Sequence, residues 1–206
     1  GVMSMTGESD GPPVWSGLSS GDIAASTYVA QSVLATLVSR EMGDLDGDYI
    51  EIPMLDAAIS WLTLRAGYVF GFDEPYPRGN HHPNLAPFGV YTCRDGPMVI
   101  AAGTESLWMS LCETFDRPGL VADPRFESVE DRVENLDALV ETINDILSER
   151  PVDEWVEKLQ ENEVPVAPIY NTKSVWEDEH VRKRNLHRVL EREGREDADV
   201  IASPMR

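Results

Sequence analysis

The sequence predicts a mixed α/β chain built in two parts. Apolar helical segments cover residues 23–40 and 53–70, an Asp-Gly hairpin signal opens the second half, and a Pro- and Gly-rich stretch separates the two. Gly1 to Gly21 reads as loop, with a stop at Gly11-Pro12-Pro13. Ile23 to Arg40 carries Ala, Val, Leu and Tyr at most positions, the mark of a largely buried helix. Ser19, Ser20 and Asp22 are available to cap its start. Glu41 to Asp48 is an acidic, turn-rich loop. Tyr49-Ile50-Glu51-Ile52 alternates as a short strand does, and Pro53 suits the first position of a helix running to about Phe70.

Gly71 to Pro87 holds four prolines and two glycines and is placed as the linker, since few contacts cross such segments. Phe88–Cys93 and Met98–Ala102 then flank Arg94-Asp95-Gly96-Pro97 as a hairpin. Thr104 caps a helix to about Phe115. Ser128 caps another, with Asp131 three residues on, and its apolar stripe is Val133, Leu136, Leu139, Val140, Ile143 and Leu147. Val152–Asn162 is a shorter helix. The prolines make Val164–Ile169 extended. Helical turns follow, then weak strands near His187–Glu191 and Asp199–Ala202. The expected organisation is a first part over 1–72, a linker over 73–87, a small α+β domain over 88–190 and a return segment over 191–206.

Charge narrows the function classes. The chain has 37 acidic residues against 17 basic ones, a net of −20, and its lysines are Lys158, Lys173 and Lys183 alone. A polyanion repels phosphate backbones, so nucleic-acid binding is disfavoured. The acid is spread through apolar-containing periodic segments, unlike a disordered acidic tail. It suits a surface that stays hydrated in concentrated salt, where ions screen the self-repulsion; an acidic protein of ordinary salt is the competing reading. No run approaches the roughly 20 apolar residues of a membrane helix. Cys93 and Cys112 sit in apolar sequence, with no disulfide framework or zinc spacing, and a reducing cytoplasm is the natural setting. Adjacent His81 and His82 lack a third ligand at useful spacing, so no metal site is expected.

An ordered set of short motifs goes further. Gly1-Val2-Met3-Ser4-Met5-Thr6-Gly7-Glu8, Gly11-Pro12-Pro13 and Ser20-Gly21-Asp22-Ile23 open it. Leu34-Ala35-Thr36-Leu37 with Arg40, Met54-Leu55-Asp56-Ala57, and Arg78-Gly79-Asn80-His81-His82-Pro83 with Ala86-Pro87 follow. Asp95-Gly96, Ile100-Ala101, Leu111-Cys112, Asp123-Pro124-Arg125-Phe126, Arg132-Val133, Glu154-Trp155, Val164-Pro165-Val166 and Ser203-Pro204 complete it. No one of these is specific. Their order resembles that of the family III CoA-transferases, the CaiB/BaiF group of formyl-CoA transferases, carnitine CoA-transferases and α-methylacyl-CoA racemases.

The resemblance implies an interior piece of a chain about twice as long. It would comprise part of a Rossmann-like large domain, followed by the smaller α+β domain of that fold, in a parent that forms an interlocked homodimer. Asp22 would be the catalytic carboxylate, attacking an acyl-CoA as a covalent nucleophile; its local alternative is a plain helix cap. Met54, Gly79 and His81 would contact coenzyme A, which enters as the thioester substrate, with a carboxylic acid as second substrate and no separate cofactor. Met54 is matched to an apolar contact with the CoA adenine, with core packing as its alternative. The loop carrying Gly79, His81 and His82 is matched to one that closes over the site, and a solvated linker competes with that reading. The sequence departs from the family at Gly43-Asp44-Leu45-Asp46-Gly47, where a Gly-Arg-Gly turn is usual. A racemase, in which the same aspartate works in acid/base chemistry, and a piece inactive by itself are the alternative functions.

Overall fold

The computed structural model describes residues 1–43, 49–77 and 79–205. The acidic turn at 44–47 and Arg78 lie outside the described residues. The chain divides into two compact units, Gly1–Pro83 and Asn84–Arg206.

The first unit is helical. A short 3-10 turn, Val2–Met5, precedes α1 (Ser20–Met42), α2 (Met54–Ser60) and α3 (Thr63–Phe72). Ser19 is the N-cap of α1 without a side-chain cap bond, and Gly43 ends the helix in the left-handed region at φ 82°, where glycine carries no steric penalty. α1 packs on α2. Their buried residues are Ala24 and Ala57, small enough to let two helices approach closely, and Ser60 Oγ bonds Tyr28 Oη across the pair at 2.9 Å.

Three expectations are corrected in this unit. Ile23, Val29, Val33, Leu34, Leu37 and Val38 of α1 are exposed, because the unit offers that long helix α2 as its main neighbour; it is not largely buried. Residues 49–53 form no strand, since the described part of the unit contains no other strand to pair with. The helix from Pro53 is two helices, broken at Trp61-Leu62. There the Ser60 and Thr63 hydroxyls take the Ala57 and Ser60 carbonyls and compete with the helical ladder.

The second unit is built on a three-stranded antiparallel sheet of β1 (Phe88–Thr92), β2 (Pro97–Ala101) and β3 (Val166–Pro168), in that spatial order. The register pairs Phe88 with Ala101 and Thr92 with Pro97, then Met98 with Pro168. Alternation puts Tyr91, Met98 and Ile100 inside. Helices α4 (Glu105–Thr114), α5 (Val129–Glu134), α6 (Leu136–Leu147) and α7 (Val152–Glu161) supply the rest of the core, including Trp108, Leu139, Ile143 and Trp155. Thr104 caps α4 by accepting from Leu107 N–H, and Ser128 and Asp131 form the capping box of α5. Asp95 of the hairpin turn accepts from Val152 N–H at 2.8 Å, so the turn also fixes the start of α7. Trp155 donates from Nε1 to Leu147 O at 2.9 Å and meets Phe115 edge-on at 5.3 Å.

The single helix expected from Ser128 breaks at Asn135, whose backbone N–H and side-chain Nδ2 both donate to Asp131 O. Beyond β3 come a 3-10 turn at Ser174–Glu177, α8 (Glu179–Lys183) and a hairpin of β4 (His187–Leu190) and β5 (Ala198–Ile201). That hairpin belongs to the second unit. The Rossmann-like character of the first part stays an implication of the resemblance. Among the described residues, no helix is long and apolar enough to cross a membrane.

Cys93 and Cys112 are buried free thiols. Burial, then the nearby Asp95 carboxylate, pushes Cys93 up to about 11. Burial pushes Cys112 up to about 12, with Arg132 opposing and Glu113 adding. Both groups therefore favour the folded state while neutral, and that contribution is lost as pH rises from the ordinary thiol value through the raised ones. At pH 8 the native protein is expected to react negligibly with a thiol-disulfide reagent, because the thiolate is the nucleophile. Both cysteines should titrate once the chain is unfolded in denaturant; rapid native-state labelling would contradict the burial.

Candidate active site

Asp22 is the third residue of α1 and not its cap, a position taken by Ser19. It is the acidic residue of the helix's first turn, where the partial positive charge of the helix end favours a carboxylate. Ser20 N–H donates to Leu18 O and Ile23 N–H to Ser19 O. Among the described residues, the Gly21 and Asp22 N–H groups have no acceptor and the Asp22 carboxylate has no hydrogen bond or ion pair. The side chain is exposed. An uncommitted carboxylate with two free N–H donors at its own helix end can attack a carbonyl and steady the oxygen on which charge develops.

Met54 is the first residue of α2, after Pro53. It lies against Gly21: a Cβ built on that glycine would stand 3.2 Å from Met54 Cγ and 3.3 Å from Sδ. The fold thus brings Met54 to the residue next to Asp22, although one begins α2 and the other α1. Gly79 has φ +120°, a conformation that needs glycine, and a Cβ there would meet nothing within 4 Å, so it is not pressed against Asp22 or Met54. His81 is half-buried in the same loop. His82 beside it is held below the ordinary imidazole value, by burial and then by the Arg65 charge.

No motif marks Arg65. Its guanidinium lies over the Tyr76 ring at 4.2 Å, and Tyr76 meets Tyr68 edge-on. Both Arg65 and Tyr76 line a cavity of about 400 Å³ with Leu62, Ala66, Val69 and Phe70. None of Asp22, Met54, Gly79 and His81 lines it. The available signal was a lone cation inside the apolar run Trp61–Phe70.

The mixed helix-and-strand fold of this chain is found in a solved protein of the CaiB/BaiF family. A protein of that family from Brucella suis superposes with a TM-score of 0.85 at 25% identity, covering 100% of this chain and 53% of that one. Residues 1–206 match CoA-transferase family III, and the chain belongs to that family. It is 35% identical to a succinyl-CoA:mesaconate CoA-transferase of Haloarcula hispanica, over 100% of this chain and 52% of the relative. It is 32% identical to an acetyl-CoA:oxalate CoA-transferase of Acetobacter aceti, over 90% of this chain and 48% of the relative. The chain spans about half the length of the curated relatives it matches.

Proposed function

We propose that the full-length protein carrying this chain transfers CoA between an acyl-CoA and a carboxylic acid, with Asp22 as the covalent nucleophile. The observation that carries the reading is the exposed Asp22 carboxylate in the first turn of α1, without a partner among the described residues, in a chain of this family. An Asp22 oxygen attacks the acyl carbonyl; the C–S bond breaks, giving a mixed anhydride and CoA thiolate. The thiolate attacks the aspartyl carbonyl of the anhydride, expelling the first carboxylate and leaving an aspartyl-CoA thioester. The acceptor carboxylate attacks that thioester, and the released thiolate then takes the acceptor's acyl group, which restores Asp22. Each step exchanges one acyl bond for another, so the sequence is redox-neutral and needs no oxidant or reductant.

The relatives' names favour succinyl-CoA as donor and a short dicarboxylic acid as acceptor. The full-length protein should convert succinyl-CoA and mesaconate to mesaconyl-CoA and succinate, followed by chromatography of the thioesters. Failure across a panel of donors and short mono- and dicarboxylic acids would end the reading. Products equilibrated at the α-carbon without CoA exchange would install the racemase instead.

The setting proposed with this function is a reducing cytoplasm, in an interlocked homodimer, at high salt. The salt reading rests on the net charge of −20. Molar KCl is expected to raise the melting temperature by screening carboxylate repulsion over a Debye length of about 3 Å at 1 M. A melting temperature that is flat or falls between 0.1 and 2 M KCl, concentrations on the order of those that separate the regimes, would refute it.

A further inference from the structure

We infer that Gly21 is a positioning residue that seats Met54 as the apolar wall for the thioester end of the pantetheine arm; this rests on the CoA-transfer reading above. Gly21 occupies the second position of α1 without the left-handed backbone that calls for glycine elsewhere in the chain, at Gly43 for example. Inside a helix, glycine costs stability relative to alanine. Its backbone therefore does not explain it, but its missing side chain does: a Cβ would stand 3.2 Å from Met54 Cγ and 3.3 Å from Sδ, so Met54 would have to give way by a few tenths of an ångström.

Met54 is 52% exposed, so the thioether is packed against α1 on one side and open on the other. Consecutive Cα atoms are 3.8 Å apart, which puts those Met54 atoms within about 9 Å of the Asp22 Cα. For Asp22 to attack, the thioester carbonyl must touch it. The adenine is separated from that carbonyl by the whole pantetheine arm and a diphosphate. Of the CoA moiety, the part within reach of Met54 is the methylene pair and amide next to sulfur, and a flexible thioether suits methylenes better than it suits the carboxylate of a succinyl group. This assigns Met54 to the reacting end of CoA and not to the adenine.

The test uses the full-length enzyme with Gly21→Ala, Met54→Ala and the double variant, each assayed with succinyl-CoA and with succinyl-pantetheine, which lacks the nucleotide. Gly21→Ala should raise KM for both donors about three- to tenfold with a smaller change in kcat, as expected for a displacement well under 1 Å. In the Met54→Ala background it should add nothing further, the signature of one residue acting through another. Thermal melts should show Gly21→Ala at or above the wild-type midpoint, and Met54→Ala, at an exposed position, provides the second folded variant. Unchanged KM in Gly21→Ala, additive effects, or an effect with succinyl-CoA that vanishes with succinyl-pantetheine would overturn the inference while leaving CoA transfer intact. A wild-type enzyme inactive with every acyl-CoA would remove both.

Discussion

Replacing Asp22 by Asn in the full-length protein is expected to lower turnover by at least about a thousandfold while leaving the fold in place, the scale seen when an enzyme loses its nucleophile. The two halves of that result test different things. The amide keeps the size and hydrogen-bonding oxygen of the side chain but loses the charge that makes it a nucleophile. Structurally little is at stake, because among the described residues the carboxylate holds no ion pair or hydrogen bond and is exposed. What remains is its interaction with the helix end, worth about 0.3–1 kcal/mol. A helix-supporting Asp22 with no chemical role would show the reverse: a small loss of stability and full turnover. Asp22→Ala should behave as Asp22→Asn does and excludes slow deamidation of the amide as a source of residual activity. Hydroxylamine should trap an activated aspartate in the wild type incubated with acyl-CoA and none in either variant. Undiminished transfer in Asp22→Ala would end the assignment.

The parts of the structure legible in the sequence are those that local chemistry decides. Ser128 and Asp131 form their capping box because the bonds span three residues. The hairpin closes because a polar, glycine-containing turn separates two alternating apolar runs. Tyr49–Ile52 looked like a strand for the same kind of reason, but a strand also needs a partner, and alternation cannot supply one. The helix break at Asn135 turned on a side chain competing for Asp131 O, which periodicity ignores. The exposure of α1 is not legible because composition reports how apolar a face is, not what is present to cover it.

The candidate site was legible by a different route. Asp22 by itself reads as a cap; the order of motifs along the chain singled it out. Its closeness to Met54 is a tertiary fact about where α2 crosses α1, and no spacing rule anticipates it. The cluster of Arg65 and Tyr76 has no local signal, because the ring contact comes from the loop folding back on α3.

Arg132 makes the same point with the largest expected effect on stability. The motif Arg132-Val133 marked the position, but not its work. The guanidinium is 0% exposed. Nε donates to Ala86 O at 2.8 Å, Nη1 to Phe126 O at 2.9 Å, and Nη2 to Glu105 Oε1 at 2.8 Å, while the group lies 5.2 Å from the centre of the Trp108 ring. One planar fork thus ties the segment before β1, the turn at Phe126 and the first turn of α4 to α5. Arg132→Ala should cost about 3–5 kcal/mol, since it strands two carbonyls and leaves a cavity. For a unit of this size that lowers the melting midpoint by roughly 10–20 °C. Arg132→Lys should recover less than half of the loss, because a point charge cannot reach acceptors arrayed around a fork. Glu105→Gln should cost about 1 kcal/mol or less, as that carboxylate is 54% exposed and hydrates readily when the pair is weakened. The contrast separates two accounts of the residue. If the ion pair held the unit together, Glu105→Gln would approach Arg132→Ala and Arg132→Lys would approach wild type. If the carbonyl bonds and packing hold it, the order is Arg132→Ala, Arg132→Lys, Glu105→Gln, from most to least damaging. Urea unfolding of residues 1–206 measures all three, and an Arg132→Ala variant as stable as Glu105→Gln would show that the buried fork is not what joins these segments.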